Sequence, residues 1–221
     1  MTIAGLIYRL VDIFIPGTCS SCGAEKANYP MPACPACLEK ALAGKRAEKT
    51  RISGLGAVWS CCAYTGGVMA CLKDLKYRGN RSVLPFLEAM VKTFIKEHPY
   101  ALEGIQIILP VPAYPSRLRQ RGYNQADIIA RMVSDITNIP YSGNILLKVR
   151  DTEAQAGLRL HKRLNNLNGV FSAPAADRVS GKKVLIVDDI VTSGSTIKAC
   201  ARSLEKASPA GVSGFTVAKT L

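Results

Sequence analysis

The sequence predicts an α/β protein with a mostly parallel sheet flanked by helices and a small N-terminal four-cysteine module. Apolar segments suited to buried strands alternate along the chain with segments of helical periodicity. This alternation is typical of parallel sheets with crossover helices. Four of the eight cysteines form two close pairs near the N-terminus. A chain of 221 residues can bury one good core and carry a small appendage.

The first fifteen residues predict an amphipathic helix. Apolar residues recur at helical spacing from Ile3 to Ile15, and Pro16 ends the run. Arg9 and Asp12 interrupt the apolar character and no small-residue cleavage site follows, which argues against a signal peptide. No apolar stretch is long enough to span a bilayer. We expect a cytoplasmic protein whose helix docks on its own chain, with membrane association as the alternative.

Two cysteine pairs, Cys19-x2-Cys22 and Cys34-x2-Cys37, are separated by eleven residues. This spacing can bring four thiolates to the corners of a tetrahedron around zinc. We predict a structural zinc site, since four cysteines leave no coordination position open for water. Disulfides or a redox pair are the alternative, and a reducing cytosol disfavours disulfides. The helix and this module are predicted to occupy residues 1–44.

A linker is predicted over residues 40–56, and an α/β domain over residues 57–221. The predicted strands are Ala57–Tyr64, Ile105–Val111, Ile145–Lys148, Val184–Val187 and Val212–Ala218. The predicted helices are Gly67–Tyr77, Ser82–Glu97, Asn124–Asn138 and a last one that runs to about Ser208. Residues 150–170 lack clear periodicity, and a structureless loop of that length is often a functional lid.

The run from Lys183 to Thr196 carries the strongest chemical signal. Its strand is followed by Asp188 and Asp189, and then by a hydroxyl-rich turn made of Thr192, Ser193, Gly194, Ser195 and Thr196. Open α/β sheets bind ligands at the carboxyl ends of strands, and a helix N-terminus binds phosphate. The acids would repel a phosphate but suit the vicinal hydroxyls of a ribose. The pattern predicts a sugar-phosphate site, with an ordinary capped strand-turn-helix as the alternative.

A second cluster follows the strand Ile105–Val111, where Arg117, Arg119 and Arg121 recur at alternate positions in a loop. In a parallel sheet this loop emerges at the same edge as the paired acids. Because the planar fork of arginine can donate two hydrogen bonds to a phosphate, we predict a pyrophosphate beside the ribose. A solvent-exposed charged loop is the alternative.

The net charge of +13 is unusual, and residues 51–150 carry 13 basic and 6 acidic residues. Such a surface attracts polyanions, among which are nucleic acid and pyrophosphate. Aromatic residues make up 6% of the chain, so a stacking platform for single strands is only weakly supported. A basic, solvated surface without a partner is the alternative.

The run Val184–Thr196 resembles the phosphoribosyl pyrophosphate (PRPP) motif of the type I phosphoribosyltransferases. Both have an apolar strand, two adjacent acids, two more residues and a Thr/Ser-Gly-x-Thr turn. Serine at position 193 is a mild departure from the common threonine. The resemblance implies that the acids hold the ribose hydroxyls and that the turn holds the 5′-phosphate. Response-regulator receivers also carry paired acids, but near the start of the domain.

The whole chain resembles the ComF family of competence-related proteins. The resemblance lies in the double cysteine pair, Tyr64-Thr-Gly66, Leu72-Lys73 with Lys76, Pro110-Val-Pro112, Arg121-Gly-Tyr-Asn-Gln125, Gln155, Arg163-x-x-Asn166, Gly169-x-Phe171 and the PRPP motif. It implies a zinc knuckle fused to a phosphoribosyltransferase-like domain. It also implies a role in natural transformation, meaning the uptake and handling of single-stranded DNA; other members are linked to sugar-acid utilisation.

The resemblance further implies a mechanism. PRPP would bind with Mg²⁺, and the catalytic residues would be Asp188, Asp189, Arg117 and Arg121. Arg119, with Gln155 and Arg163 of the lid, would complete the pyrophosphate side. Ribose 5-phosphate would pass to an unknown acceptor with release of pyrophosphate. The alternatives are a non-catalytic adaptor that senses PRPP or binds single-stranded DNA beside DNA-uptake and recombination proteins, and a zinc-dependent nucleic-acid binder with an empty sugar-phosphate site.

Overall fold

A computed structural model describes residues 17–26, 31–43, 47–151, 167 and 169–220. The predicted N-terminal helix lies outside the described residues. Gln155 and Arg163, and with them most of the predicted lid, also lie outside this part of the chain. Within it, no helix is long and apolar enough to cross a membrane.

The main sheet has five strands in the order β3–β4–β9–β8–β5. These strands are β3 (Glu48–Arg51), β4 (Ala57–Ala63), β5 (Ile107–Pro110), β8 (Lys183–Val191) and β9 (Gly211–Lys219). The edge strand β3 is antiparallel to β4, and the other three pairings are parallel. The predicted mostly parallel sheet is therefore confirmed. Two small antiparallel pairs join β1 (Gly17–Thr18) to β2 (Glu25–Lys26) and β6 (Leu147–Lys148) to β7 (Phe171–Ser172).

The described α-helices are α1 (Pro35–Ala43), α2 (Gly66–Arg78), α3 (Leu84–Glu97), α4 (Pro115–Arg121), α5 (Gln125–Thr137) and α6 (Ser195–Leu204). Short 3₁₀ helices cover Arg81–Val83, Pro99–Leu102, Ala176–Val179 and Glu205–Ala207. The ends of α5 show why the sequence pattern was readable. The side chain of Asn124 accepts a hydrogen bond from the N–H of Ala126, and Asn138 ends the helix at a φ of 58°.

The strand that carries the paired acids is longer than predicted. Asp188 and Asp189 lie inside β8, which continues to Val191, because β9 extends beside it and pairs Asp188 with Thr216 and Ile190 with Ala218. The final helix starts at Ser195, later than the predicted start at Thr192, and a 3₁₀ turn follows Leu204.

Two stretches predicted without regular structure contain helix and strand. In the predicted linker, α1 runs to Ala43 and β3 pairs along β4, a tertiary contact that composition does not show. The predicted arginine loop is the helix α4, which ends where the N–H of Gly122 (φ 79°) donates to the carbonyl of Leu118. Arg117 and Arg121 are consequently one helical turn apart, and Arg119 lies between them on a different side of the helix.

Apolar side chains cover both faces of the sheet. Alternate residues of β8 belong to two clusters: Leu185 and Val187 pack with residues of α2, α3 and α5, whereas Val184 and Ile186 pack with residues of α6. The four-cysteine module is continuous with the first cluster through Cys19, Met31, Ala33 and Leu38. The predicted burial of Cys61, Cys62, Cys71 and Cys200 is confirmed.

Candidate functional site

The carboxyl ends of β4, β5 and β8 meet at one edge of the sheet. The N–H of Val111, just after β5, donates a 2.8 Å hydrogen bond to the carbonyl of Val187, so the loop toward α4 begins beside Asp188. At the other side of β9, the N–H of Tyr64 donates to the carbonyl of Lys219 over 2.6 Å. The structure therefore places the start of the arginine-bearing segment and the paired acids at the same edge, which is the arrangement that a parallel sheet predicts.

The two aspartates are partly buried and lie in different surroundings. Burial and the Asp189 carboxylate raise the pKa of Asp188 well above its ordinary value, and the charge of Lys76 opposes this shift. Burial and the charge of Asp189 raise the pKa of Tyr64, while burial and the charge of Asp188 raise that of Cys200. This agrees with successive strand residues on opposite faces of the sheet. The pair offers carboxylate oxygens to hydroxyl donors but repels a bare anion.

The turn after β8 forms the N-terminus of α6. Gly194 is the N-cap at a φ of 73°, a conformation that L-residues with a Cβ rarely adopt. The Cδ1 atom of Ile52 lies 2.0 Å from the point where a Cβ of Gly194 would stand. A small hollow is lined by Asp188 together with Thr192, Gly194, Ser195 and Thr196, among others. The predicted acid and the predicted phosphate turn thus face one hollow.

The three arginines of α4 differ in their contacts. Arg121 is partly buried and its Nη1 donates to Oε1 of Gln125 over 2.6 Å. Arg117 donates to the exposed Gln120 over 3.3 Å, and Arg119 is exposed. Among the described residues, neither Arg119 nor Arg121 is hydrogen-bonded to either aspartate. The hydroxyl of Ser116 reaches the carboxylate of Asp151 over 3.4 Å, which connects α4 to the start of the predicted lid.

The four cysteines of the N-terminal module come together. The sulfur atoms of Cys19, Cys22, Cys34 and Cys37 all lie within 4.8 Å of one another, and those of Cys22 and Cys34 are 3.8 Å apart. A tetrahedral site with Zn–S bonds of about 2.3 Å has S···S edges of about 3.8 Å, so the cluster fits zinc. Although burial raises it, hydrogen bonds from backbone N–H groups, first that of Cys34, lower the pKa of Cys19 to about 6. A thiolate is the form that binds zinc.

The cysteine module packs against the edge that carries the site. A Cβ on Gly67, at the start of α2, would lie 3.2 Å from the carbonyl oxygen of Cys37 and 3.3 Å from Leu38. A Cβ on Gly66 would lie 3.3 Å from Ser21. The glycines after Tyr64 thus allow close approach of the module to the sheet edge.

Known proteins resemble this chain in sequence. The family of the phosphoribosyl transferase domain matches residues 121–219. Competence protein F of Haemophilus influenzae is 34% identical over 128 residues, which cover 58% of this chain and 55% of that protein. DNA utilization protein YhgH of Salmonella typhimurium is 26% identical over 92% of this chain and 84% of its own length. Competence protein ComFC of Bacillus subtilis is 26% identical over 73% of this chain and 63% of its own length. The chain is a ComF-type phosphoribosyltransferase-like protein.

In this ComF-type chain, the segment Arg121-Gly-Tyr-Asn-Gln125 joins three elements. The hydroxyl of Tyr123 donates to the carbonyl of Leu75 in α2, and the Asn124 side chain donates to the carbonyl of Val111 over 2.9 Å. Sequence reasoning used this segment only as a mark of resemblance and assigned no role to Asn124 or Gln125. The available signal was an Asn at the predicted start of a helix, which is a preferred N-cap.

Proposed function

We propose that this ComF-type protein binds PRPP with Mg²⁺ at the carboxyl edge of its sheet and transfers ribose 5-phosphate to an acceptor with release of pyrophosphate. The observation that carries the proposal is the single hollow lined by Asp188 and the turn from Thr192 to Thr196. A ligand that has both vicinal hydroxyls and a phosphate matches these two neighbours, because carboxylates accept from hydroxyls and a helix N-terminus attracts phosphate.

Each group of residues has a part in this proposal. Backbone N–H groups between Ser193 and Thr196 would donate to the 5′-phosphate, and Asp188 and Asp189 would accept from the ribose hydroxyls. The α4 arginines Arg117, Arg119 and Arg121 would face the pyrophosphate. Carboxylate oxygens are also ligands that Mg²⁺ accepts, so Asp188 and Asp189 fit this ion beside the substrate. Bound there, Mg²⁺ would neutralise charge on the pyrophosphate. Gln155 and Arg163 remain predicted lid residues.

Catalysis in this proposal is electrostatic. The bond between the anomeric carbon and the pyrophosphate oxygen breaks, the electron pair leaves with pyrophosphate, and the acceptor forms the new bond to the same carbon and loses its proton. The arginine charges stabilise the leaving group and the two carboxylates favour the positive charge that develops on the ribose. No protein nucleophile is required.

The names of the relatives, competence protein and DNA utilization protein, support a role in DNA uptake and natural transformation for this chain. We further propose that the protein is cytoplasmic and that zinc in the cysteine module is structural. The predicted division into residues 1–44 and 57–221 is retained, with β3 as an additional edge strand of the second unit.

The test is calorimetric titration of PRPP with Mg²⁺ into the zinc-loaded protein. We expect saturable binding that is lost in the Asp188→Ala/Asp189→Ala double variant and kept in Asp135→Ala, which removes an exposed acid of α5. No binding by folded wild type would contradict the proposal. Binding in hand, candidate acceptors are screened for release of pyrophosphate.

A second candidate function is a surface for single-stranded DNA, which the adaptor alternative requires. Tyr77 at the end of α2 is 73% exposed, and the Nζ of Lys76 lies 5.8 Å from its ring. Arg78 and Arg81 follow, and the Arg81 guanidinium lies 5.3 Å from the ring of Tyr123. An exposed ring among cations is the combination that stacks a base and holds its phosphates. Sequence composition had supported such a platform only weakly.

Fluorescence anisotropy of a labelled oligothymidylate tests this second candidate. We expect binding that weakens steeply with salt, because each phosphate contact releases counterions. Tyr77→Ala should weaken binding about fivefold or more, given roughly 1–3 kcal/mol per stacked base. Tyr100→Ala, which removes another exposed tyrosine, is the matched control. Equal affinities for the two variants would contradict a stacking role for Tyr77.

A further inference from the structure

Gln125 is a buried polar residue that the proposed reaction leaves without a role. Its side chain, at the first position of α5, is only 5% exposed, and its Oε1 accepts the 2.6 Å hydrogen bond from Nη1 of Arg121. Within the part of the chain that the structure describes, Arg121 forms no ion pair. The guanidinium is therefore held by a neutral acceptor, and its charge is not compensated by a carboxylate.

The start of α5 is itself anchored to the strand that carries the acids. Asn124 donates to the carbonyl of Val111, whose own N–H donates to the carbonyl of Val187, the residue before Asp188. Two hydrogen bonds thus connect the backbone beside Asp188 to the residue next to Gln125. Because α5 also packs on β5 and β8 through buried residues such as Ile129, Gln125 sits on a rigid element.

Arg117 provides a contrast on the same short helix. Its contact with Gln120 is longer, at 3.3 Å, and Gln120 is exposed on α4 itself. A surface contact within one helix does not fix a guanidinium relative to the sheet. The buried Gln125 does, since it belongs to a different helix from Arg121.

We infer that Gln125 is a positioning residue that holds the Arg121 guanidinium toward the pyrophosphate of PRPP. This inference rests on the proposed function. A neutral amide oxygen orients the planar fork through one amino group and leaves the other donors and the full charge for the ligand. A carboxylate in the same place would form an ion pair with Arg121 and weaken its attraction for a polyanion.

The test compares two ligands that differ in the pyrophosphate. PRPP and ribose 5-phosphate, each with Mg²⁺, are titrated into wild type, Gln125→Glu and Gln125→Met. Gln125→Glu keeps the acceptor and adds a charge, whereas Gln125→Met keeps the approximate size and removes the acceptor. We expect PRPP affinity to fall about tenfold or more in both variants, the range for a hydrogen bond to a charged group, and ribose 5-phosphate affinity to stay unchanged.

The outcomes separate this inference from the proposed function. Wild type that binds neither ligand would overturn the proposed function and the inference with it. Wild type that binds both, with variants that lose neither ligand or lose both equally, would overturn the inference alone. Gln120→Glu is the matched charge control, and an equal loss of PRPP affinity there would also overturn it. Should the Gln125 variants fail to fold, Arg121→Lys, which keeps the charge without the fork, is expected to show the same PRPP-selective loss.

Discussion

The backbone N–H of Asp189 donates a 2.9 Å hydrogen bond to Oδ1 of Asp188, although burial and the charge of the Asp189 carboxylate both raise the pKa of Asp188. The site therefore holds a carboxyl group whose ionised form is disfavoured without a ligand. Hydroxyl donors, a cation, or both would stabilise the ionised form. A binding site that is uncomfortable when empty is a common arrangement, because perturbed pKa values cluster at functional sites.

We predict that Asp188→Asn stabilises the ligand-free protein while it abolishes PRPP binding. The unfolded chain releases the Asp188 proton near pH 4, whereas the folded protein holds it to higher pH. The stabilising contribution of the protonated carboxyl is present at low pH and is lost as pH rises through the raised pKa. Asn keeps the hydrogen-bond acceptor without the charge.

Thermal unfolding of both proteins from pH 4 to pH 8 checks this prediction, with Trp59, the single tryptophan, as the fluorescent reporter. The melting temperature of Asp188→Asn should exceed that of wild type at pH 8, and the difference should shrink toward pH 4. Asp135→Asn serves as the control for loss of a surface charge. A difference that is independent of pH would contradict a raised pKa for Asp188.

The strands and helices that face the core were readable from sequence, and the contacts between distant segments were not. The run Val184–Val187 predicted a buried strand from its own side chains, but its extension to Val191 depends on β9, which begins at Gly211. The helix α4 escaped prediction because its seven residues expose their side chains and leave no apolar stripe. Its signals were Pro115 at the first position and Gly122 just after the end.

The chemistry of the candidate site was predicted from residue types, and its support was not. Asp188 and the turn after β8 were assigned from their pattern, and both line one hollow. The roles of Ile52 and Gln125 depend on which residues fold against Gly194 and Arg121, and these partners come from other elements. Exposure was equally invisible, since nothing in the sequence around Tyr77 shows that its ring faces solvent.

Removal of zinc is predicted to destabilise the whole protein in one transition. Met31 and Leu38 of the cysteine module belong to the same apolar cluster as Leu72 of α2, so the module and the sheet should unfold together. When free zinc exceeds its Kd a thousandfold, binding contributes about 4 kcal/mol. The measurement is thermal unfolding with and without a chelator, and two separate transitions would contradict the prediction.

Zinc content identifies the ligands in the same experiment. Cys34→Ser should lose the metal, whereas Cys71→Ala should retain one zinc per chain. Burial and the charge of Asp74 raise the pKa of Cys71 to about 12, so this residue is a neutral thiol of the core and lies outside the cluster. Loss of zinc from Cys71→Ala would count against the assignment of the four ligands.

Gly194→Ala is predicted to damage both stability and phosphate binding. The φ of 73° costs an alanine about 1–2 kcal/mol, and the crowding against Ile52 adds about 1–3 kcal/mol. Gly79→Ala is the matched control, since Gly79 has a φ of 68° but no atom within 4 Å of its Cβ position. Urea unfolding should show a larger loss for Gly194→Ala, and Ile52→Ala should restore part of it. Equal losses at the two glycines would show that Ile52 does not press on the turn.

The buried hydroxyl pair of Ser60 and Thr216 is predicted to show strong non-additivity. Both residues are fully buried; their hydroxyl oxygens are 2.7 Å apart, and Thr216 also donates to the carbonyl of Ala218. Thr216→Val leaves the Ser60 hydroxyl without this partner, which should cost about 1–3 kcal/mol. Ser60→Ala leaves Thr216 its second partner and should cost less. Ser60→Ala/Thr216→Val removes both hydroxyls and should cost clearly less than the sum.

Urea unfolding of the four proteins, followed through Trp59, closes the double-mutant cycle. An interaction energy of about 0.5 kcal/mol or more is expected for two buried groups in direct contact. Thr216 is the register partner of Asp188 on the neighbouring strand, so the same variants also report on the site. If the pair only maintains the core, ribose 5-phosphate affinity should follow neither single substitution. Additive losses in stability would show that the two hydroxyls do not depend on each other.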